Sequence, residues 1–263
     1  MQQTEHTREL QLIEQNMNRS PADLGKVWCS RLIFTLPALT PMDVALYGAV
    51  AMLQAPSMLE QNDERSIHTA ALTLEILRLS LNLPANKKPE LLSSLRRLTM
   101  LGALQVLPLQ PEPTALRADW EHGWFCLLMP ISFTVKQNCQ GFCQLHIADW
   151  ERIKLQLTKP SDRIKGFAAY LAIQHFIFNS KNVAPICYQS QGQIGASYGV
   201  KRYSVSRTVT QLHQIGAIAM CKVLWNHNGE LVERNIIASA RDDQSFYDFI
   251  SKRLGKVYVR ILE

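Results

Sequence analysis

Between Arg163 and Gly229, a run of 67 residues, the chain has not one Asp or Glu. The same stretch holds seven cations: Arg163, Lys165, Lys181, Lys201, Arg202, Arg207 and Lys222. Its formal charge of +7 exceeds the +6 of the whole protein. A solvated face of ordinary function mixes signs. Excluding acids is what contact with a polyanion demands, because one carboxylate beside a phosphate interrupts the row of contacts.

Long apolar runs are missing too. The best, Phe167 to Phe178, is twelve residues and contains Gln174 and His175, whereas a membrane span needs about 18 or more. The first residues, "MQQTEHTREL", carry neither the basic nor the apolar region of a secretory signal. The expectation is a cytoplasmic protein with no membrane partner. Nucleotide-binding loops of the G-x-x-x-x-G-K-[ST] and G-x-G-x-x-G kinds are absent, as are H-E-x-x-H and G-x-S-x-G. Asp242 and Asp243 stand just before a helical stretch, where aspartates complement the helix dipole. No catalytic residue, cofactor or enzymatic activity is expected. The six cysteines lack paired short metal-binding spacings; Cys139, Cys143 and His146 lie close but want a fourth ligand. Free thiols are expected and a metal is not.

What is present describes a folded chain: 263 residues, 47% apolar and 19% charged. Residues 27–36 read as a strand, followed by a helix with Thr40 at the N-cap and Pro41 at its first position. Residues 66–81 and 89–101 read as two further helices, the second ending at Gly102. Two strand-like runs follow, separated by a loop rich in proline and charge. The second half repeats the plan: a helix over 162–179, a short helix capped by Ser190, then the helix of "GVKRYSVSRTVTQLHQIGAI". A hairpin about Asn228-Gly229 comes next, and a last helix and strand complete the chain. "ELLSSLRRLTMLGAL" (90–104) aligns without gaps on "SVSRTVTQLHQIGAI" (204–218), with Gly102 on Gly216, so each helix exits through glycine into an apolar strand. We read this as a duplication.

In the second copy, Gly199 turns the chain, and Ile194, Val200, Val205, Val209 and Leu212 make an inner face. Lys201, Arg202, Tyr203, Ser204, Ser206, Arg207, Thr210 and Gln211 are left outside. Arginine grips guanine bidentately, glutamine does the same for adenine, and hydroxyls suit phosphate oxygens.

This stretch resembles the helix-turn-helix of bacterial winged-helix DNA-binding proteins, and the hairpin after it is similar to their wing. The resemblance covers about residues 163–238. It implies that the second helix reads the major groove through Lys201 to Gln211, with His227, Asn228 and Arg234 as wing contacts; Lys222, with Arg234, is read as a phosphate contact independent of sequence. The first half is a looser match, with Lys87, Lys88, Arg96 and Arg97 as its basic face, suited to phosphate contact or to dimer formation. Two winged helices in tandem, entered through "LIFTLPALTPMDVALYGAV", resemble the replication initiators of iteron-bearing plasmids.

The expected fold is therefore α+β, mainly helical: two winged-helix domains in tandem, each with three helices followed by a β-hairpin wing. The expected boundaries are a polar arm over 1–26, a first domain over 27–135, a linker over 136–161 and a second domain over 162–263. The expected partners are double-stranded DNA, a second copy of the chain in a homodimer and, for an initiator, host replication proteins. A winged-helix transcription regulator is the alternative. A protein-docking module anchored by Trp120, Trp124 and Phe125 is a third class.

Overall fold

Helix α1 (Pro41–Leu53) begins at a proline, whose missing N–H would have had no helical partner anyway. Thr40 and Asp43 close a reciprocal cap before it. The Asp43 amide donates to Thr40 Oγ1 at 3.3 Å, and the Thr40 amide donates to Asp43 Oδ2 at 2.8 Å. The computed structural model describes residues 25–53, 69–108, 125–128, 142–177, 185–241 and 243–262. Among them no helix is long and apolar enough to cross a membrane.

The described residues form an α+β fold. In the first half, strand β1 (Lys26–Ser30) precedes α1. Strand β2 (Thr69–Leu72), helices α2 (Leu74–Ser80) and α3 (Lys88–Met100), and strands β3 (Gln105–Pro108) and β4 (Phe125–Leu128) follow. Strand β5 (Phe142–His146) and helix α4 (Ile147–Gln156) lead to helix α5 (Pro160–Phe176). Then come β6 (Ile186–Cys187), α6 (Gln191–Ala196) and α7 (Arg202–Gln214). Strands β7 (Ile218–His227) and β8 (Glu230–Ser239), helix α8 (Asp243–Arg253) and strand β9 (Tyr258–Leu262) complete the order.

The two halves share a topology beyond the helix order read from the sequence. In the first, the sheet runs β2-β4-β3; in the second it runs β6-β8-β7, with β9 added outside β7. In each, the short strand before the second helix pairs antiparallel with the return strand of the hairpin. The helix exits match bond for bond. Ala103 N–H donates to Leu98 O and Ala217 N–H to Leu212 O, both at 2.9 Å. Gly102 and Gly216 sit at φ 72° and 70°, the left-handed values such an exit requires. Buried Ser94 corresponds to buried Thr208, and Leu91, Leu95 and Leu98 to Val205, Val209 and Leu212.

One hydrophobic core runs through both halves, because α1 packs along α5. Gly48 on α1 makes room for Trp150: a Cβ there would lie 2.6 Å from the indole. A smaller cluster lies between α8 and the sheet, around Phe246, Ile250, Val223 and Ile236.

Three expected elements differ. Residues 27–36 are not one strand: β1 stops at Ser30, whose Oγ accepts from Leu32 N–H, and Arg31–Thr35 turn as a 3-10 helix. Residues 66–81 do not form one helix, since 69–72 pair with β4 and the helix starts only after Thr73, whose hydroxyl accepts from Ile76 N–H. A long-range strand partner overrides a helical pattern there. Within 136–161, read as linker, β5 pairs with β1, and Leu145, Trp150 and Ile153 are buried in the common core.

The α4 segment also carries a buried acid. Asp149 is fully buried, accepts from Tyr170 Oη at 3.1 Å and faces Arg241 at 3.5 Å, with Arg152 nearby on its own helix. Burial pushes its carboxyl up to about 6, against the pull of those cations. The folded state therefore holds this proton more tightly than the unfolded chain. The stability it contributes is fully present below the unfolded value of 3.8 and is lost as pH rises through about 6. Melting temperatures between pH 4 and pH 7 should carry this slope, and Asp149→Asn should flatten it. An unchanged slope in the variant would assign the dependence to another group.

Candidate nucleic-acid interface

The short helix α6 is set by its cap. Ser190 N–H donates to Gln193 Oε1 at 3.0 Å, and Gln193 N–H donates to Ser190 Oγ at 3.2 Å. Two glycines then let α7 cross closely. A Cβ on Gly195 would sit 2.7 Å from the Val205 side chain and run into the Val200 carbonyl. Gly199 takes φ 73°, and a Cβ on it would drive into the Leu39 carbonyl of the first half. The turn of the second half is thus wedged against the entry to α1. Ile194, Val205, Val209 and Leu212 are wholly buried beneath it, with Val200 packed at their edge.

The outer face of α7 is as polar as the sequence reading requires. Lys201, Arg202, Tyr203, Arg207 and Thr210 are exposed, Tyr203 to 77%, while Ser204, Ser206 and Gln211 are half-buried. Neither Lys201 nor Arg202 has a carboxylate partner among the described residues. Two hydroxyls are already engaged. Thr208 is buried and donates to Ser204 O, and Thr210 donates to Ser206 O at 3.1 Å, leaving only its acceptor capacity outside.

Acids absent from the 163–229 window return through the fold. Asp162, one residue before it, approaches Arg207 at 3.4 Å. Glu233, four residues after it, pairs with Lys222 at 2.5 Å. Arg163 is buried and donates to Leu157 O at 2.9 Å, so it does not belong to the outer charge. Lys181 lies outside the described residues.

The hairpin is a long two-stranded ribbon turned by Asn228 and Gly229, at φ 53° and 90°. Asn228 is exposed at its tip, and His227 ends β7 opposite Glu230. Lys222 is opposite Asn235 and Val223 opposite Arg234, so alternation sends Lys222 and Arg234 to opposite faces of the ribbon. The Arg234 guanidinium stacks 4.4 Å above the Trp225 ring. The sequence reading missed this platform and the two acids; only the position of Asp162 at the edge of the acid-free run hinted at its role.

The basic face of the first half is largely neutralised. Lys87 pairs with Glu90 at 2.5 Å, Lys88 with Glu75 at 2.7 Å and Arg97 with buried Asp43 at 2.7 Å. Hydrogen bonds from Arg78 and Lys88 hold the Glu75 carboxyl down at about 2, so it stays ionised at any ordinary pH. Arg96 is exposed and without a carboxylate partner among the described residues.

Between α7, the Ser190–Gly192 segment and the ribbon lies an open groove of about 1260 Å³. Arg202, Ser206, Thr210 and Lys222 line it above an apolar floor that includes Met220 and Ile237. No family model and no curated protein matches this chain. Of the sulfur and imidazole set considered in the sequence, Cys143 and His146 are buried on β5, and Cys139 lies outside the described residues. Trp120, Trp124 and Asp242 also lie outside them.

Proposed function

We propose that the protein is a sequence-specific double-stranded DNA-binding protein built of two winged-helix units in tandem. The observation that carries the reading is the outer face of α7. Lys201, Arg202 and Arg207 stand exposed beside hydroxyls on a helix braced by a capped partner and followed by a hairpin. That is the arrangement in which a helix enters the major groove and a wing follows the backbone. Arg207, oriented by Asp162 and free at its other edge, is the side chain we assign to base reading.

Among DNA-binding roles we favour a replication initiator of a plasmid or mobile element. Two unlike units share one core: among the described residues the basic face of the first is largely ion-paired, whereas α7 keeps Lys201 and Arg202 without a carboxylate partner. A single chain then reads an asymmetric site, and copies line up head to tail on repeats. A palindrome instead mirrors a two-fold dimer.

The test is selection of bound duplexes from a random pool at about 0.15 M salt, a strength at which non-specific binding is partly screened. Head-to-tail repeats support the initiator, and a short inverted repeat supports a dimeric transcription regulator. Binding without enrichment leaves an architectural protein. No binding at all would move the assignment to protein docking. In the same assay Arg207→Ala should relax preference at one base position and cost about 1–3 kcal/mol. A uniform loss would place Arg207 on the backbone instead.

A further inference from the structure

The ribbon meant to act as the wing carries no net charge. From Ile218 to Ser239 its charged residues are Lys222 and Arg234 against Glu230 and Glu233. Lys222 is engaged by Glu233, and the Arg234 guanidinium sits over the Trp225 ring on the opposite face. Such a ribbon has little attraction for phosphate.

The last strand supplies what the ribbon lacks. From Phe249 to Leu262 there is no acid and there are four cations: Lys252, Arg253, Lys256 and Arg260. Arg253 is turned inward, 3.7 Å above the Phe249 ring. Lys252, Lys256 and Arg260 are exposed, and none has a carboxylate partner among the described residues. Their placement follows from two sets of bonds. Asn226 N–H donates to Val257 O at 3.2 Å, which fastens the turn between α8 and β9 beside the ribbon tip and brings Lys256 there. Strand β9 pairs with β7 so that Leu262 is opposite Lys222 and Arg260 opposite Leu224. Arg260 therefore shares the sheet face of Lys222, and Leu262 lines the same groove as Arg202 and Ser206.

We propose that the turn after α8 and strand β9, through Lys256 and Arg260, form a second contact with the sugar–phosphate backbone, making the wing three-stranded with its charge on the added strand. This rests on the DNA-binding reading above and assigns the charge of the wing to residues outside the hairpin. The contact is independent of base sequence, because an ammonium and an unbuttressed guanidinium meet phosphate as charges.

The experiment uses the full chain and a random-sequence 40-base-pair duplex, with affinity measured by fluorescence anisotropy across a salt series. Lys256→Ala/Arg260→Ala should reduce the slope of log affinity against log salt by about 2, one for each released phosphate contact. Lys256→Arg/Arg260→Lys should restore it. An unchanged slope in the double alanine variant, while Lys201→Ala/Arg202→Ala still weakens binding, overturns this inference alone. If the α7 variant is also without effect, the DNA-binding reading itself falls. Both residues are exposed, so circular dichroism should show all these variants folded.

Discussion

Reversing charge at two positions of α7, Arg202→Glu with Arg207→Glu, should lower duplex affinity by about 10³ at 0.15 M salt. The change removes two positive charges and adds two negative ones, four units at the surface we propose to lie against phosphate. At about 0.9 log-salt slope per unit, four units extrapolated from 1 M to 0.15 M salt give that factor. Both side chains are exposed, so the core under Val205, Val209 and Leu212 is untouched. Arg207→Glu also faces Asp162, which now repels it and swings it off the helix face. Anisotropy titration checks the affinity, and the melting temperature checks the fold. A folded variant that binds duplex as tightly as the parent would remove α7 from the interface and leave a docking role for it.

Gly199→Ala should be strongly destabilising. The residue stands at φ 73°, where a Cβ costs about 1–2 kcal/mol, and its Cβ would also strike the Leu39 carbonyl. Overpacking against backbone adds about 1–3 kcal/mol, because the carbonyl belongs to the entry of α1 and cannot rotate away as a side chain would. The sum, about 2–5 kcal/mol, should lower the melting temperature by roughly 5–15 °C in a chain of this size. Gly102→Ala separates the two causes. It has nearly the same φ, 72°, but nothing lies within 4 Å of its added Cβ, so it should show the conformational cost alone. Equal losses at the two positions would mean that the two halves slide apart locally and that the Leu39 contact holds them only weakly.

Local chemistry made several elements readable in the sequence. Pro41 after Thr40 marks a helix start, Asn228-Gly229 marks a tight hairpin, and Gly102 and Gly216 mark left-handed exits, because in each case the residue type answers a backbone requirement on the spot. The inner stripe of α7 was readable because burial at helical spacing leaves a periodic trace. Strand β2 was not readable, since "TAAL" becomes a strand only when β4 arrives from more than fifty residues away. The same holds for β5 and α4: Trp150 is a core residue because Gly48, a hundred residues earlier, leaves space for its ring.

The charge of the proposed interface divides in the same way. Composition alone determined that a long stretch of this chain excludes acids and that a basic, hydroxyl-bearing helix lies within it. Which of those cations remain available was decided only in three dimensions. Arg163 turned inward, Asp162 and Glu233 came back to Arg207 and Lys222, and β9 carried Arg260 onto the face of the ribbon. Ion pairing depends on separation in space, at distances of a few ångströms, and the chain brings together residues that its linear order keeps apart.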